Sequence, residues 1–161
     1  MTKISLETPE IAKIDKESLS HILEKYLKDN YKLCLIKSNV CGYYPPSLKT
    51  LQWLLEKIYP RCNQILLGDT SSTIHDANKR LKELGLIEIA QKIGEKVKAV
   101  DFSKIYKNVS VNVPKPPALK KYPIPQIVYE SDFLINIEKN RYTSNYNYYR
   151  GMQKSIWTRL K

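Results

Sequence analysis

Leu33-Cys34-Leu35-Ile36, then Leu48, Leu51, Leu54, Leu55 and Ile58 at helical spacing, then Ile65-Leu66-Leu67, then Ile74, Ala77, Leu81 and Leu84 at helical spacing again: the order of these blocks decides the fold. The first apolar run breaks at Ser38-Asn39-Val40-Cys41-Gly42-Tyr43-Tyr44-Pro45-Pro46, and Pro60 stops the first periodic segment. The second run ends at Gly68-Asp69-Thr70-Ser71-Ser72-Thr73. A short apolar run without alternation fits a strand buried on both faces, and amphipathic segments of helix length between such runs make βαβ units. The expected fold class is α/β. It has three layers, a mainly parallel sheet of about four or five strands with helices on both faces, and right-handed crossovers.

Working outward from this stretch, Leu19, Ile22, Leu23, Tyr26 and Leu27 keep helical spacing behind Asp15 as N-cap, and Asp29-Asn30 turns the chain into the first strand. Residues 1–14 read as a short strand or an arm. Pro46 suits the first position of the helix that follows, Gly42 permits an unusual backbone conformation, and Thr73 with Asp76 forms a capping pair. Downstream, Gly85 and Gly94 close two helices, and Lys96 to Phe102 reads as a third strand. Val109, Val111 and Val113 alternate with polar residues, as in a strand with one solvated face. Pro114 to Pro125 is expected to run irregular or polyproline-like over the surface. Ile124 to Glu130 makes a turn or two of helix before the last strand, Phe133 to Ile137. These elements form an α/β domain over residues 1–140.

Open α/β sheets place ligands outside the carboxyl ends of their strands. That rule gathers Asn39, Cys41, Asp69, Thr70, Ser71, Ser72, Lys139 and Arg141 into one candidate site for a small anionic molecule. Lys139 and Arg141 supply positive charge there. The hydroxyl loop and the helix start behind it supply hydrogen bonds. Asp69 is suited to orienting a hydroxyl or to holding a metal. Cys41 is of the type that serves as nucleophile or metal ligand, and a lone cysteine at a strand end also serves as packing. No G-x-x-x-x-G-K-[ST] or G-x-G-x-x-G occurs, which disfavours a standard nucleotide fold.

The chain has 161 residues and a formal net charge of +11, a balance that favours polyanionic partners. Residues 141–161 form a basic, tyrosine-rich segment without Asp or Glu. Arg141, Arg150, Lys154 and Arg159 are of the type that binds phosphates, and Tyr146, Tyr149 and Trp157 are of the type that stacks on unpaired bases. This pattern gives the alternative reading, a nucleic-acid or ribonucleoprotein module. The segment is expected to take order only against a partner, a nucleic acid or a second copy. Cys34, Cys41 and Cys62 form no C-x-x-C, and His21 and His75 have no paired ligand at metal spacing, so no metal site is expected and the cofactor stays open. No apolar run is long enough for a membrane span and no signal peptide is evident, which points to a cytoplasmic protein.

The runs Ile36-Lys37-Ser38-Asn39, Leu67-Gly68-Asp69-Thr70-Ser71-Ser72, Leu84-Gly85-Leu86-Ile87-Glu88-Ile89-Ala90 and Ile124 to Ile137 together resemble the family called domain of unknown function 362. The resemblance spans roughly Leu33 to Trp157. It implies a redox-linked α/β protein, of a kind that in some members carries a further ferredoxin-like iron–sulfur segment. The family's Lys-x-Lys-Thr-His pattern falls on Lys139, Arg141, Tyr142 and Thr143, where the histidine is absent. Its Gly-x-x-Lys-Asn falls on Gly151-Met152-Gln153-Lys154-Ser155. Because members continue further, a third expectation is a short family member whose fold is completed by a second chain or a second copy.

Overall fold

A computed structural model describes residues 16–28, 30–42, 45–105, 107–112, 121–137 and 156–158, the last three and Tyr122 by backbone alone. Strand β1 (Tyr31–Lys37) pairs parallel with β2 (Cys62–Asp69) on one side and with β6 (Phe133–Asn136) on the other. Strand β3 (Val97–Asp101) pairs parallel with the far side of β2. Strand β7 (Ile156–Thr158) pairs antiparallel with β6, so the order is β3-β2-β1-β6-β7. Four of the five strands are parallel, as the alternation of apolar runs and amphipathic segments requires. From β1 the chain steps outward to β2 and β3 and then returns to β6 on the opposite side. The strand order therefore reverses at β1.

Helices α1 (Lys16–Tyr26), α2 (Leu48–Ile58), α3 (Ala77–Glu83) and α4 (Leu86–Ile93) cover one face. Leu23, Leu51, Leu54, Leu55, Ile58, Leu81, Leu86 and Ala90 pack there against Cys34, Ile36, Ile65, Leu67, Phe133 and Ile135. The rings of Tyr31 and Phe133 stack at 4.9 Å within this core. On the other face Leu35 and Leu66 meet Phe102 from α5 (Phe102–Ile105) and Ile127 from α6 (Gln126–Glu130). From Leu33 in β1 and Ile65 in β2 onward, strand residues alternate between these two cores, the direct result of the two-residue period of a strand, while Tyr31 and Cys62 at the strand starts both join the first core. Both faces are covered, one by four helices and the other by two short ones. No helix among the described residues is long and apolar enough to cross a membrane.

Several local expectations change. Leu48, not Pro46, is the first residue of α2, and Ser47 caps it, its hydroxyl accepting from the Thr50 N–H at 3.1 Å. Asp76, not Thr73, caps α3 by accepting from the Lys79 N–H at 3.0 Å. Ile74, expected on the apolar stripe of that helix, lies before it and is 77% exposed. Among the described residues of the β1–α2 loop the left-handed one is Asn39 (φ 45°), and Gly42 is not in that region. Lys121–Pro125, expected to be irregular, forms β5, which pairs antiparallel with β4 (Asn108–Asn112) in a separate two-stranded ribbon. Residues 156–158, expected to gain order only from a partner, add a strand to β6 of the same chain.

Candidate functional site at the carboxyl edge of the sheet

Loops leave the carboxyl ends of β1 and β2, α5 starts directly at the end of β3, and two buried carboxylates join the three. Asp69, the last residue of β2 and 3% exposed, accepts from the Cys41 N–H at 3.1 Å and from the Thr70 N–H at 2.9 Å. Its other neighbour is the Lys37 ammonium at 3.4 Å. The β1 and β2 loops are thus held on one carboxylate. Ser38, fully buried, adds a second tie, its N–H and its hydroxyl both donating to the Gly68 carbonyl at 2.8 and 3.2 Å. Gly68 is required here, because a Cβ would overlap the Val100 carbonyl oxygen of β3.

Asp101, the last residue of β3 and fully buried, does the same between β2 and β3. It accepts from the hydroxyls of Ser71 at 2.5 Å and Ser103 at 2.6 Å, and from their N–H groups at 3.3 and 2.9 Å. The Ser71 hydroxyl also accepts from the Ala77 N–H at 2.9 Å, which fixes where α3 begins. Ser72 completes the turn, its hydroxyl accepting from the N–H groups of Ile74 and His75 at 3.3 and 3.0 Å. These bonds explain why α3 starts three residues later than its apolar spacing suggests. Each serine offers the backbone an alternative to the helix.

Burial alone pushes the Asp101 carboxyl up, but the hydrogen bonds from Ser103 and Ser71 together hold it below the usual carboxylate value. The side-chain bond from Lys104 likewise lowers Asp76 and raises Lys104 itself. At Cys41, burial first and the Asp69 carboxylate second push the thiol up. Cys41 is therefore a neutral thiol near pH 7, unsuited to attack as a thiolate. Its Sγ rests 3.8 Å from the His75 carbonyl. Cys34 of β1 and Cys62 of β2 lie buried in the core, where the hydrogen bond that the Cys34 thiol donates to the Cys62 sulfur, and then burial, raise Cys34 well above the ordinary thiol value. The three sulfurs do not converge, and among the described residues no group of three His, Cys, Asp or Glu is placed to hold a metal ion. These cysteines do not form the cluster site that the resemblance associates with some members.

Of the residues singled out from the sequence, Cys41, Asp69, Thr70 and Ser71 come together at this edge, and Asn39 joins them through the Lys37 ammonium, 3.5 Å from its Oδ1. Ser72 turns outward as a turn-former. Lys139 and Arg141 lie outside the described residues, as do Arg150, Lys154, Arg159, Tyr146 and Tyr149, and of Trp157 only the backbone is described. Lys37, Asp101 and Ser103 also stand at this edge, beyond the residues that the strand-end rule gathers. Lys37 stands directly at the end of the apolar run Leu33–Ile36, the one signal that marks it, whereas Lys98 interrupts the segment before Asp101.

The strand that carries Lys37 pairs with β6 in register, Lys37 opposite Asn136, and the Ile137 N–H donates to the Lys37 carbonyl at 2.9 Å. Lys37 thus lies where the strand order reverses. Neither a curated protein nor a solved structure matches the chain. The family described as a domain of unknown function (DUF362) matches residues 34–145, from the middle of β1 to beyond β6, and the chain belongs to that family.

Proposed function

We propose that the chain binds a small anionic ligand in the crevice at the carboxyl ends of β1 and β6, with Lys37 as the anchoring cation. The observation that carries this reading is the position of Lys37. It ends β1 at the reversal of strand order, its side chain is partly exposed, and it stands beside Asn39 and opposite Asn136. Open α/β sheets bind ligands at this point of the topology. The loops around it are already held by Asp69 and Asp101, so binding would not have to order them.

The backbone N–H groups of Cys41 and Thr70 and the hydroxyl of Ser71 are engaged with carboxylates. Contact with the ligand then falls to Lys37, Asn39 and the Thr70 hydroxyl, joined on the sequence reading by Lys139 and Arg141. Three free thiols fit a reducing, cytoplasmic setting for this activity.

Thermal unfolding in the presence of inorganic pyrophosphate and a set of phosphorylated and carboxylated metabolites tests the proposal. A ligand at 100 times its Kd stabilises by about 2.7 kcal/mol, a shift of several degrees. We expect one anion class to raise Tm in the wild type and to lose that effect in Lys37→Met. A panel without any response, or an equal response in Lys37→Met, refutes it.

A further inference from the structure

We infer that the β4–β5 ribbon is a self-association surface, through which β4 pairs antiparallel with β4 of a second copy of this chain. The ribbon has two edges of opposite character. The Gln126 N–H donates to the Lys107 carbonyl at 2.8 Å, so residues 126, 124 and 122 turn their backbone groups toward β4. Residues 121, 123 and 125 turn theirs outward. Two of these are Pro123 and Pro125, which have no N–H to offer, and the outer edge of β5 is closed to a further strand.

On β4 the same alternation turns Val109 and Val111 toward β5 and directs the backbone groups of Asn108, Ser110 and Asn112 outward. Among the described residues β5 is the one strand beside β4. A two-stranded ribbon is marginal by itself, and adding strands is the usual remedy.

The sequence of that edge names the occupant. Asn108-Val109-Ser110-Val111-Asn112 reads the same in both directions. A two-fold axis through Ser110 sets Ser110 opposite Ser110 of the copy, Asn108 opposite Asn112, and Val109 opposite Val111. An isologous contact requires this kind of self-complementarity. The three outward residues become hydrogen-bonded pairs, each exchanging two backbone bonds, and like amides meet across the join. Val109, Val111 and Ile124, half-buried on one face of the ribbon, continue into the same three residues of the copy. The product is a four-stranded sheet of order β5-β4-β4-β5.

Sedimentation at high micromolar concentration and physiological ionic strength, where repulsion between two strongly basic chains is screened, reads the association. The full chain is expected to sediment as a concentration-dependent dimer. Ser110→Pro removes one outward N–H without touching the β4–β5 ladder, and is expected to be monomeric with an unchanged circular dichroism spectrum. Ser110→Cys keeps the proposal falsifiable if the proline variant misfolds. Across a two-fold hydrogen-bonded pair the two Cα atoms stand about 5.5 Å apart, within reach of a disulfide. Mild oxidation is expected to join Ser110→Cys into covalent dimers and to leave Asn108→Cys monomeric, since its two copies lie more than about 13 Å apart. A monomeric wild type, a dimer that survives in folded Ser110→Pro, or equal cross-linking of the two cysteine variants overturns the inference.

Discussion

Asp69 and Asp101 stand opposite each other in register at the carboxyl ends of β2 and β3, both buried, and each gives its carboxylate to a different pair of segments. Asp69 joins the β1 and β2 loops through the Cys41 and Thr70 N–H groups, and Asp101 joins the β2 loop to the start of α5 through Ser71 and Ser103. Two like charges on adjacent buried positions persist because each is surrounded by donors. Lys37 stands beside the first, and Lys104 lies 3.8 Å from the second. The result is a continuous line of hydrogen bonds across three strand ends.

Removing the first link should cost stability and release the loop. Asp69→Ala leaves the Cys41 and Thr70 N–H groups without their acceptor, a loss of about 1–3 kcal/mol for a buried pair of this kind. Urea unfolding reads the loss, and hydrogen exchange is expected to accelerate at the Cys41 amide. An unchanged midpoint and unchanged exchange would show that the carboxylate does not hold the loops.

The second link carries a pH dependence. The folded values of Asp101 and Asp76 are below their unfolded ones, so the folded state takes up protons less readily than the unfolded chain. Their stabilisation is complete above the unfolded carboxyl value near 4 and is lost as pH falls through the lower folded value. Urea midpoints at neutral pH and near pH 3 should therefore differ more for the wild type than for Asp101→Asn. Equal differences in the two proteins would contradict the assignment.

The sheet is legible in the sequence because Leu33–Ile36, Ile65–Leu67 and Phe133–Ile135 carry no polar residue, and nothing local competes with a doubly buried strand. The start of α3 is not. Ser71-Ser72-Thr73-Ile74-His75-Asp76 offers several possible caps, and the choice is made by Asp101, thirty residues away, through its bond to Ser71. For the same reason Asp101 looks like an ordinary solvated strand end until the Ser71 and Ser103 hydroxyls are placed around it. Strand β5 was hidden by its prolines, which read as loop formers. At alternate positions they instead face the outer edge of a ribbon, where an absent N–H costs nothing.

Cys41 provides a chemical test of the site's electrostatics. With Cys34 and Cys62 buried, native alkylation by iodoacetamide reports on Cys41, and its rate at pH 7.5 should fall several-fold below that of a free cysteine. Asp69→Asn removes the charge that opposes the thiolate, so the rate should rise. A rate in the wild type equal to that of free cysteine would show that burial and Asp69 do not control this thiol.

Gly68→Ala tests the close approach of β2 to β3. The added methyl meets the Val100 carbonyl oxygen, part of a strand backbone that cannot turn aside, and Phe102 stands behind it. A loss of roughly 1–3 kcal/mol is expected, as for other overpacked sites. A variant as stable as the wild type in urea would mean that the two strands separate there freely.

The claim that the carboxyl ends of β1 and β6 form a ligand site is tested most directly by titrating isotope-labelled protein with inorganic pyrophosphate while following its backbone amide resonances. Saturable shifts are expected at Lys37, Asn39, Thr70 and Ile137, with α1 unaffected, and they are expected to be lost in Lys37→Met. Shifts absent from these four amides, or unchanged in Lys37→Met, would contradict it.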